Sequence, residues 1–110
     1  MNFFEIKQEI DHNLAQIKAI DSLIGSIEEE KVQSMRKIKQ YEVTIKGANK
    51  DKRYGLAMDC RDEIHRELAE IRKWDKYIKL QARQKDYLIR RNDELRAEFK
   101  NCMINGRTGK

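Results

Sequence analysis

The segment ANKDKRYGLAMDCRDEI, residues 48–64, decides how this chain folds. It places a short polar run, residues 49–53, between two long segments in which apolar residues recur at helical spacing. Gly47 and Gly55 flank this polar run, and glycine is common where a helix ends. The segment therefore predicts a tight turn at residues 49–53 that joins two helical arms.

The composition favours helices over a compact sheet. The 110 residues include no proline and only five glycines, while charged and apolar residues each make up 39% of the chain. Such sequences, rich in Ile, Leu, Glu, Lys and Arg, are typical of long helices. No apolar run approaches the roughly 18 residues of a membrane span, and no basic leader precedes an apolar block. We therefore expect a cytoplasmic protein that does not enter a membrane.

The first arm carries a heptad pattern of isoleucines. Steps of three and four residues connect Phe3, Ile6, Ile10, Ile17, Ile20, Ile24 and Ile27, with Asn13 in the single gap. This a/d spacing is the one by which two helices form a coiled-coil seam. The apolar pattern resumes at Met35, Ile38, Tyr41, Ile45 and Ala48. The four-residue delay after Ile27 predicts a stutter, which unwinds a coiled coil locally without ending it.

The second arm has a similar stripe. Its apolar members are Tyr54, Ala57, Ile64, Leu68, Ile71, Trp74, Ile78, Leu88, Leu95 and Phe99. Three polar residues interrupt the stripe, namely Gln81, Lys85 and Asn92. We expect Lys85 and Asn92 to set the register of the pairing at some cost in stability, because a polar side chain in a seam accepts few partners.

Folding the chain back at residues 49–53 brings the two stripes into one register. Facing residues of an antiparallel pair have numbers with a constant sum, and Phe3 with Phe99 and Ile10 with Asn92 both give 102. The charges agree, because residues 1–30 carry two basic and seven acidic side chains, whereas residues 76–110 carry ten basic and four acidic ones. Complementary flanks of this kind disfavour parallel pairing.

The predicted fold is all-α: a long antiparallel two-helix hairpin or coiled coil, which a second copy would extend to a four-helix bundle. One domain spans residues 1–103, with arm one at 2–48, the turn at 49–53 and arm two at 54–103. Residues 104–110 are expected to form a flexible tail.

The alternative architecture has three helices, with a break at Gly25-Ser26. Ser26 and Glu29 have the spacing of a capping box, which is typical of a helix start. The unbroken steps from Ile20 through Ile24 favour a continuous helix, and one interior glycine costs only about 1 kcal/mol.

No catalytic or metal-binding constellation is visible in the sequence. His12 and His65 would not face each other in the hairpin, and neither has cysteines or carboxylates at the spacing of a zinc motif. There is no glycine-rich phosphate loop and no nucleophile elbow. Cys60 and Cys102 would lie roughly 63 Å apart on one helix, too far for a disulfide within the chain. We therefore expect a non-enzymatic protein without a metal or cofactor.

Apolar residues outside the stripe of arm two predict a surface for a protein partner. Tyr77, Leu80 and Tyr87 form a second apolar flank, and tyrosine is enriched among the residues that anchor interfaces. We expect this flank to bind another protein or a second copy of the chain, since two helices alone have a thin core.

Basic residues on the same arm suggest an alternative function. The chain has a formal net charge of +5, and residues 76–91 combine basic side chains with two tyrosines. The candidate phosphate contacts are Lys76, Lys79, Arg83, Lys85, Arg90 and Arg91. In the hairpin, these residues would instead neutralise the acidic first arm.

The opening segment also carries the residues of a known motif. They are Ile45, Ala48, Tyr54, Ala57, Arg61, Asp62 and Ile64: an apolar residue, a small one, an aromatic after the turn, an alanine, an Arg-Asp pair and an aliphatic. Over residues 41–64 the chain therefore resembles the UVR motif, the helical hairpin of the UvrB and UvrC repair proteins and of some Clp-associated regulators. The family has a leucine three residues after the last aliphatic; this chain has Glu67 there, and its leucine is Leu68.

The resemblance implies a protein–protein module, because such hairpins pair with another hairpin. It implies no repair chemistry, since the ATPase and nuclease portions of those proteins are not matched. It adds Tyr54, Arg61 and Asp62 to the expected partner-binding residues. Apart from the family, Asp62 is placed to pair with Lys37 or Arg36 across the seam.

These patterns together predict a protein-binding hairpin. A small chain of this kind fits an adaptor or an inhibitor, including one encoded by a phage or mobile element. The first alternative is a nucleic-acid-binding accessory protein that uses the basic second arm, and the second is a structural coiled-coil spacer.

Overall fold

The computed structural model describes the backbone of residues 1–108 and the side chains of residues 1–104. Helix α1 spans Phe3–Lys50, helix α2 spans Tyr54–Thr108, and a turn at residues 51–53 joins them. The predicted all-α hairpin is confirmed. The three-helix alternative is wrong, because α1 continues through Gly25 without a break.

Helix α1 begins after an asparagine cap. The Asn2 side chain accepts a hydrogen bond from the backbone N–H of Glu5 at 2.9 Å, and the Asn2 carbonyl accepts one from Ile6 at 3.1 Å. The side-chain bond satisfies one of the N–H groups that lack a partner at the start of a helix. Glu5 in the first turn also interacts favourably with the helix dipole.

The turn between the helices is a Schellman motif. Arg53 N–H donates to the Ala48 carbonyl at 2.7 Å, and Lys52 N–H donates to the Asn49 carbonyl at 3.2 Å. These are the two bonds that close the C-terminus of a helix when the residue after the cap is left-handed. Lys52 has that conformation, with φ of 62°. The turn is thus two residues shorter than predicted, because α1 continues to Lys50.

The seam of α1 keeps one heptad phase throughout. Beyond Ile27 its buried or half-buried residues are Lys31, Ser34, Ile38, Tyr41, Ile45 and Ala48. The predicted stutter is therefore wrong, and Met35, which was placed in the seam, is exposed. The prediction followed hydrophobicity alone, whereas Lys31 covers its seam position with its aliphatic stem and Ser34 fits there because it is small.

The seam of α2 likewise contains residues that the apolar pattern of the sequence does not predict. Cys60 is buried and Glu67 is half-buried, and both continue the alternation of three and four residues that includes Ile64. Tyr54 and Leu68, which were predicted to lie in the stripe, are exposed. The heptad phase decides between neighbours here, because it points Glu67 inward and Leu68 outward.

The hairpin divides into two compact units. One unit contains residues 1–23 and the described part of α2 from Leu80 onward; within it the rings of Phe3 and Phe99 lie 4.4 Å apart, as predicted. The other unit contains Ile24–Lys79, and the turn lies within it.

Helix α2 is longer than predicted. It continues through Thr108, five residues beyond the predicted end of arm two, so the predicted tail at residues 104–110 starts too early. Gly106 is the only glycine between residue 104 and the end of the helix at Thr108, and one glycine costs about 1 kcal/mol, too little to end a helix by itself. Residues 109 and 110 lie outside the described part of the chain.

The turn provides a test of its own geometry. We expect Lys52→Gly to stabilise the protein by about 0.5–1 kcal/mol, because glycine adopts the left-handed conformation without the steric cost of a Cβ. The control is Lys46→Gly in the exposed interior of α1, which should destabilise by about 1 kcal/mol. Urea unfolding followed by circular dichroism measures both; a destabilising Lys52→Gly would contradict this account of the turn.

Candidate functional site

A hydrogen-bonded pair of asparagines lies inside the seam of the unit formed by residues 1–23 and the part of α2 from Leu80 onward. Asn13 Nδ2 donates to Asn92 Oδ1 at 2.9 Å, and Asn92 Nδ2 donates to the Ile10 carbonyl at 3.3 Å. Asn13 is 5% exposed and Asn92 is 2% exposed. A buried amide without partners costs about 1–3 kcal/mol, so this pair ties one position of α1 to one position of α2.

The pair distinguishes the correct register from its neighbours. The seam of α1 repeats isoleucine at almost every position from Ile6 to Ile27, so a slip of one heptad would exchange isoleucine for isoleucine. Such a slip would separate the two asparagines and place Asn92 opposite Ile6 or Ile20. The expected role of Asn92 in setting the register thus has a specific partner, Asn13, which had been noted only as a gap in the pattern.

Ion pairs flank this part of the seam. Lys85 Nζ lies 2.6 Å from Asp21 Oδ1, and Arg91 Nε lies 2.8 Å from Glu9 Oε2. The hydrogen bond with Glu9 raises the pKa of the Arg91 guanidinium above its ordinary value, against a smaller opposing effect of desolvation. Arginine is charged across the neutral range in any case, so this shift does not change its charge there. Solvent-exposed ion pairs of this kind contribute little to stability.

These ion pairs divide the basic residues of arm two into those that pair with α1 and those that do not. Lys85 and Arg91 are held by acidic side chains of α1, as expected if the arms neutralise each other. The other candidate phosphate contacts are Lys76, Lys79, Arg83 and Arg90, which are exposed and form no ion pair with any described residue. Two of the six proposed contacts are thus engaged within the chain.

Two further ion pairs join the helices in the unit that contains the turn. Lys31 Nζ lies 2.5 Å from Asp75 Oδ1, and Lys37 Nζ lies 3.9 Å from Glu67 Oε1. The predicted pairing of Asp62 with Lys37 or Arg36 is wrong. Asp62 is exposed, whereas Glu67 occupies a seam position and so lies closer to α1.

A continuous strip of exposed residues lies beside the seam on the first part of α2, within the same unit. We call it the α2 strip; its members are Tyr54, Met58, Arg61, His65, Leu68 and Arg72. They follow each other at steps of four and three, so they share one face of the helix. Tyr54 is 61% exposed and Met58 is 62% exposed. In the described part of the chain, neither Arg61 nor Arg72 has an ion-pair partner.

The α2 strip unites only part of the predicted partner-binding set. Tyr54 and Arg61 belong to it, and Asp62 follows at its edge. Tyr77, Leu80 and Tyr87 are exposed elsewhere on α2. Met58 was missed because nothing in the sequence distinguishes it from a seam residue, and Leu68 because it was assigned to the seam.

The described residues hold no group of three or more His, Cys, Asp or Glu side chains that is placed to bind a metal ion. Cys60 and Cys102 are both free thiols. Neither helix, over its described length, has a stretch that is long and apolar enough to cross a membrane.

Comparison with known proteins returned no relative. No protein-family model, no curated protein and no solved structure matches the chain.

The asparagine pair can be tested by a double-mutant cycle. Asn92→Leu should destabilise the protein by about 1–3 kcal/mol, because it leaves the Asn13 amide buried without its partner. Combining it with Asn13→Leu should restore most or all of this loss in urea unfolding, since both polar groups are then gone.

The double variant should also lose its unique register. Spin labels at the exposed positions Gln8 and Ala97, with both native cysteines replaced, would report a second distance population. One heptad of slip displaces the helices by about 10.5 Å. A single population in the double variant would show that the pair does not select the register.

Proposed function

We propose that this chain is a non-enzymatic protein-binding hairpin that engages its partner through the α2 strip. The observation that supports it most directly is the composition of that strip, in which Tyr54, Met58 and Leu68 are exposed on the same helix face as two arginines that form no ion pair with a described residue. Tyrosine, methionine and arginine are the residues enriched at the centres of interfaces.

The balance between buried and exposed apolar residues supports the same conclusion. Among residues 1–104, eight apolar side chains are buried, whereas eighteen large ones are exposed. Single exposed apolar residues are normal on a protein surface. A row of exposed apolar residues at helical spacing instead favours a binding surface, because it offers a partner helix a continuous face.

The charges of the strip indicate what kind of partner fits. Arg61 and Arg72 carry positive charge near the apolar members. A partner helix with an apolar face bordered by carboxylates would therefore match it, and desolvated charge pairs would add specificity. Such a partner would make this chain an adaptor or an inhibitor, in agreement with the pairing of hairpins that the UVR resemblance implies.

The test compares two double substitutions of equal charge and similar exposure. Met58→Glu with Leu68→Glu alters the α2 strip, whereas Leu80→Glu with Tyr87→Glu alters the other predicted flank. We expect the strip variant to bind at least thirtyfold more weakly, since loss of an interface anchor costs about 2 kcal/mol or more. The control should bind as the wild type does.

The measurement has two arms, capture of proteins from an extract of the source cells by the immobilised chain and sedimentation velocity of the chain alone. Loss of a captured protein only in the strip variant supports a heterologous partner. Loss of self-association only in the strip variant supports a second copy as the partner. Equal binding by both variants and the wild type would refute the proposal, and so would a monomer that captures nothing.

A further inference from the structure

We infer that the side of α1 that faces away from the seam, together with the turn, binds the phosphodiester backbone of nucleic acid independently of base sequence. Residues 31–55 contain eight basic and two acidic side chains. Lys31 and Lys37 pair with Asp75 and Glu67. The remaining basic residues are Arg36, Lys39, Lys46, Lys50, Lys52 and Arg53, all exposed and none in an ion pair with a described residue.

Helix geometry aligns four of these residues. Arg36, Lys39, Lys46 and Lys50 recur at steps of three, seven and four, which places them on one face of α1 over roughly 21 Å. That face is opposite to the seam residues Ile38 and Ile45. Lys52 and Arg53 follow in the turn and extend the row past the end of the helix. We call these six residues the basic row.

Acidic residues near the basic row leave its charge largely uncompensated. Glu42 is spaced to reach Lys39 or Lys46, but it pairs with neither. Asp51 is exposed in the turn and is likewise not in an ion pair with any residue of the described chain. Four basic charges therefore remain in excess over these six residues and two acids, in a region that internal pairing does not neutralise.

The ligand that fits best is a regular polyanion. Neutralising phosphates with lysine and arginine releases condensed counterions, and this term provides most of the affinity of non-specific nucleic-acid binding. A protein partner would need a desolvated apolar or aromatic anchor, and Val43 is the only apolar residue on this face between Arg36 and Lys50. Binding of a helix to a membrane surface draws on an apolar face turned to the lipid as well as on basic charge, whereas the isoleucines of α1 face the seam.

The inferred nucleic-acid contacts thus lie on the first arm, whereas the alternative function predicted from the sequence used the second arm. On α2, Lys85 and Arg91 are engaged by acidic residues of α1, which leaves four of the six candidate phosphate contacts on that helix unengaged. Asp86 of α2 and Glu42 of α1 have the same spacing from their basic neighbours, so the two arms differ in the number of unengaged basic residues, which is six in the basic row. The inference is independent of the α2 strip, because the two surfaces share no residue.

Fluorescence anisotropy with a labelled 20-base single strand and a 20-base-pair duplex of unrelated sequences tests this inference. For the wild type, we expect similar affinities among sequences. The slope of log K against log salt should lie between about −3 and −5, as four to six phosphate contacts produce. Vesicles of phosphatidylserine and phosphatidylcholine form a third arm.

Two charge-reversal variants of identical net charge locate the site. Lys39→Glu, Lys46→Glu and Lys50→Glu alter the basic row, whereas Lys79→Glu, Arg83→Glu and Arg90→Glu alter α2. We expect the first variant to bind at least tenfold more weakly than the second. Lys39→Gln, Lys46→Gln and Lys50→Gln form a milder set that should reduce the salt slope by about 2 to 3.

Circular dichroism establishes that each variant is folded, and the glutamine set replaces the reversal set if reversal unfolds the hairpin. Equal binding by the two reversal variants, or a weaker α2 variant, would overturn the assignment to α1. Absence of wild-type binding to either oligonucleotide at 50 mM salt, or tighter binding to vesicles than to both oligonucleotides, would overturn the inference itself.

Discussion

Two helices can remove apolar surface from water only along the line where they touch, and the rest of this structure depends on that constraint. The seam takes one face of each helix and leaves the remaining faces in solvent. Among residues 1–104 this buries the apolar side chains of Ile6, Leu95 and six others, while residues such as Tyr54 and Met58 stay exposed. A hairpin built in this way has a narrow core, and most of the surface of each helix faces solvent.

The apolar contacts of a single seam do not select one register, because isoleucine repeats along α1. Polar residues provide that selection. The Asn13–Asn92 hydrogen bond and the ion pairs of Lys85 with Asp21 and of Arg91 with Glu9 join specific positions of the two helices. Their net contribution to stability is small, since the ion pairs are partly exposed and the amides gain little over their bonds to water. Their effect is specificity, because a shifted alignment separates the two asparagines and leaves their amides without each other as partners.

The same pairing determines which charges remain for other molecules. Lys31 and Lys37 are used within the hairpin, whereas Arg36, Lys39 and Lys46 lie on the opposite face of the same helix and are not. A difference of one or two positions in the heptad thus separates a basic residue that pairs with the other helix from one that stays exposed to solvent. The positions of the α2 strip and the basic row are therefore set by which face of each helix the seam buries, and no local sequence motif determines them.

The sequence by itself determined the two helices, their antiparallel pairing and the position of the turn. Apolar spacing, the absence of proline and the opposed charges of the two ends are local properties that survive without knowledge of contacts. Only the tertiary structure decided that Lys31, Ser34 and Glu67 lie in the seam while Met35 and Leu68 lie outside it. It also decided that Asp62 does not pair with Lys37. Hydrophobicity describes what a side chain prefers, but the phase of the helix dictates where it points, and in a single seam the phase prevails.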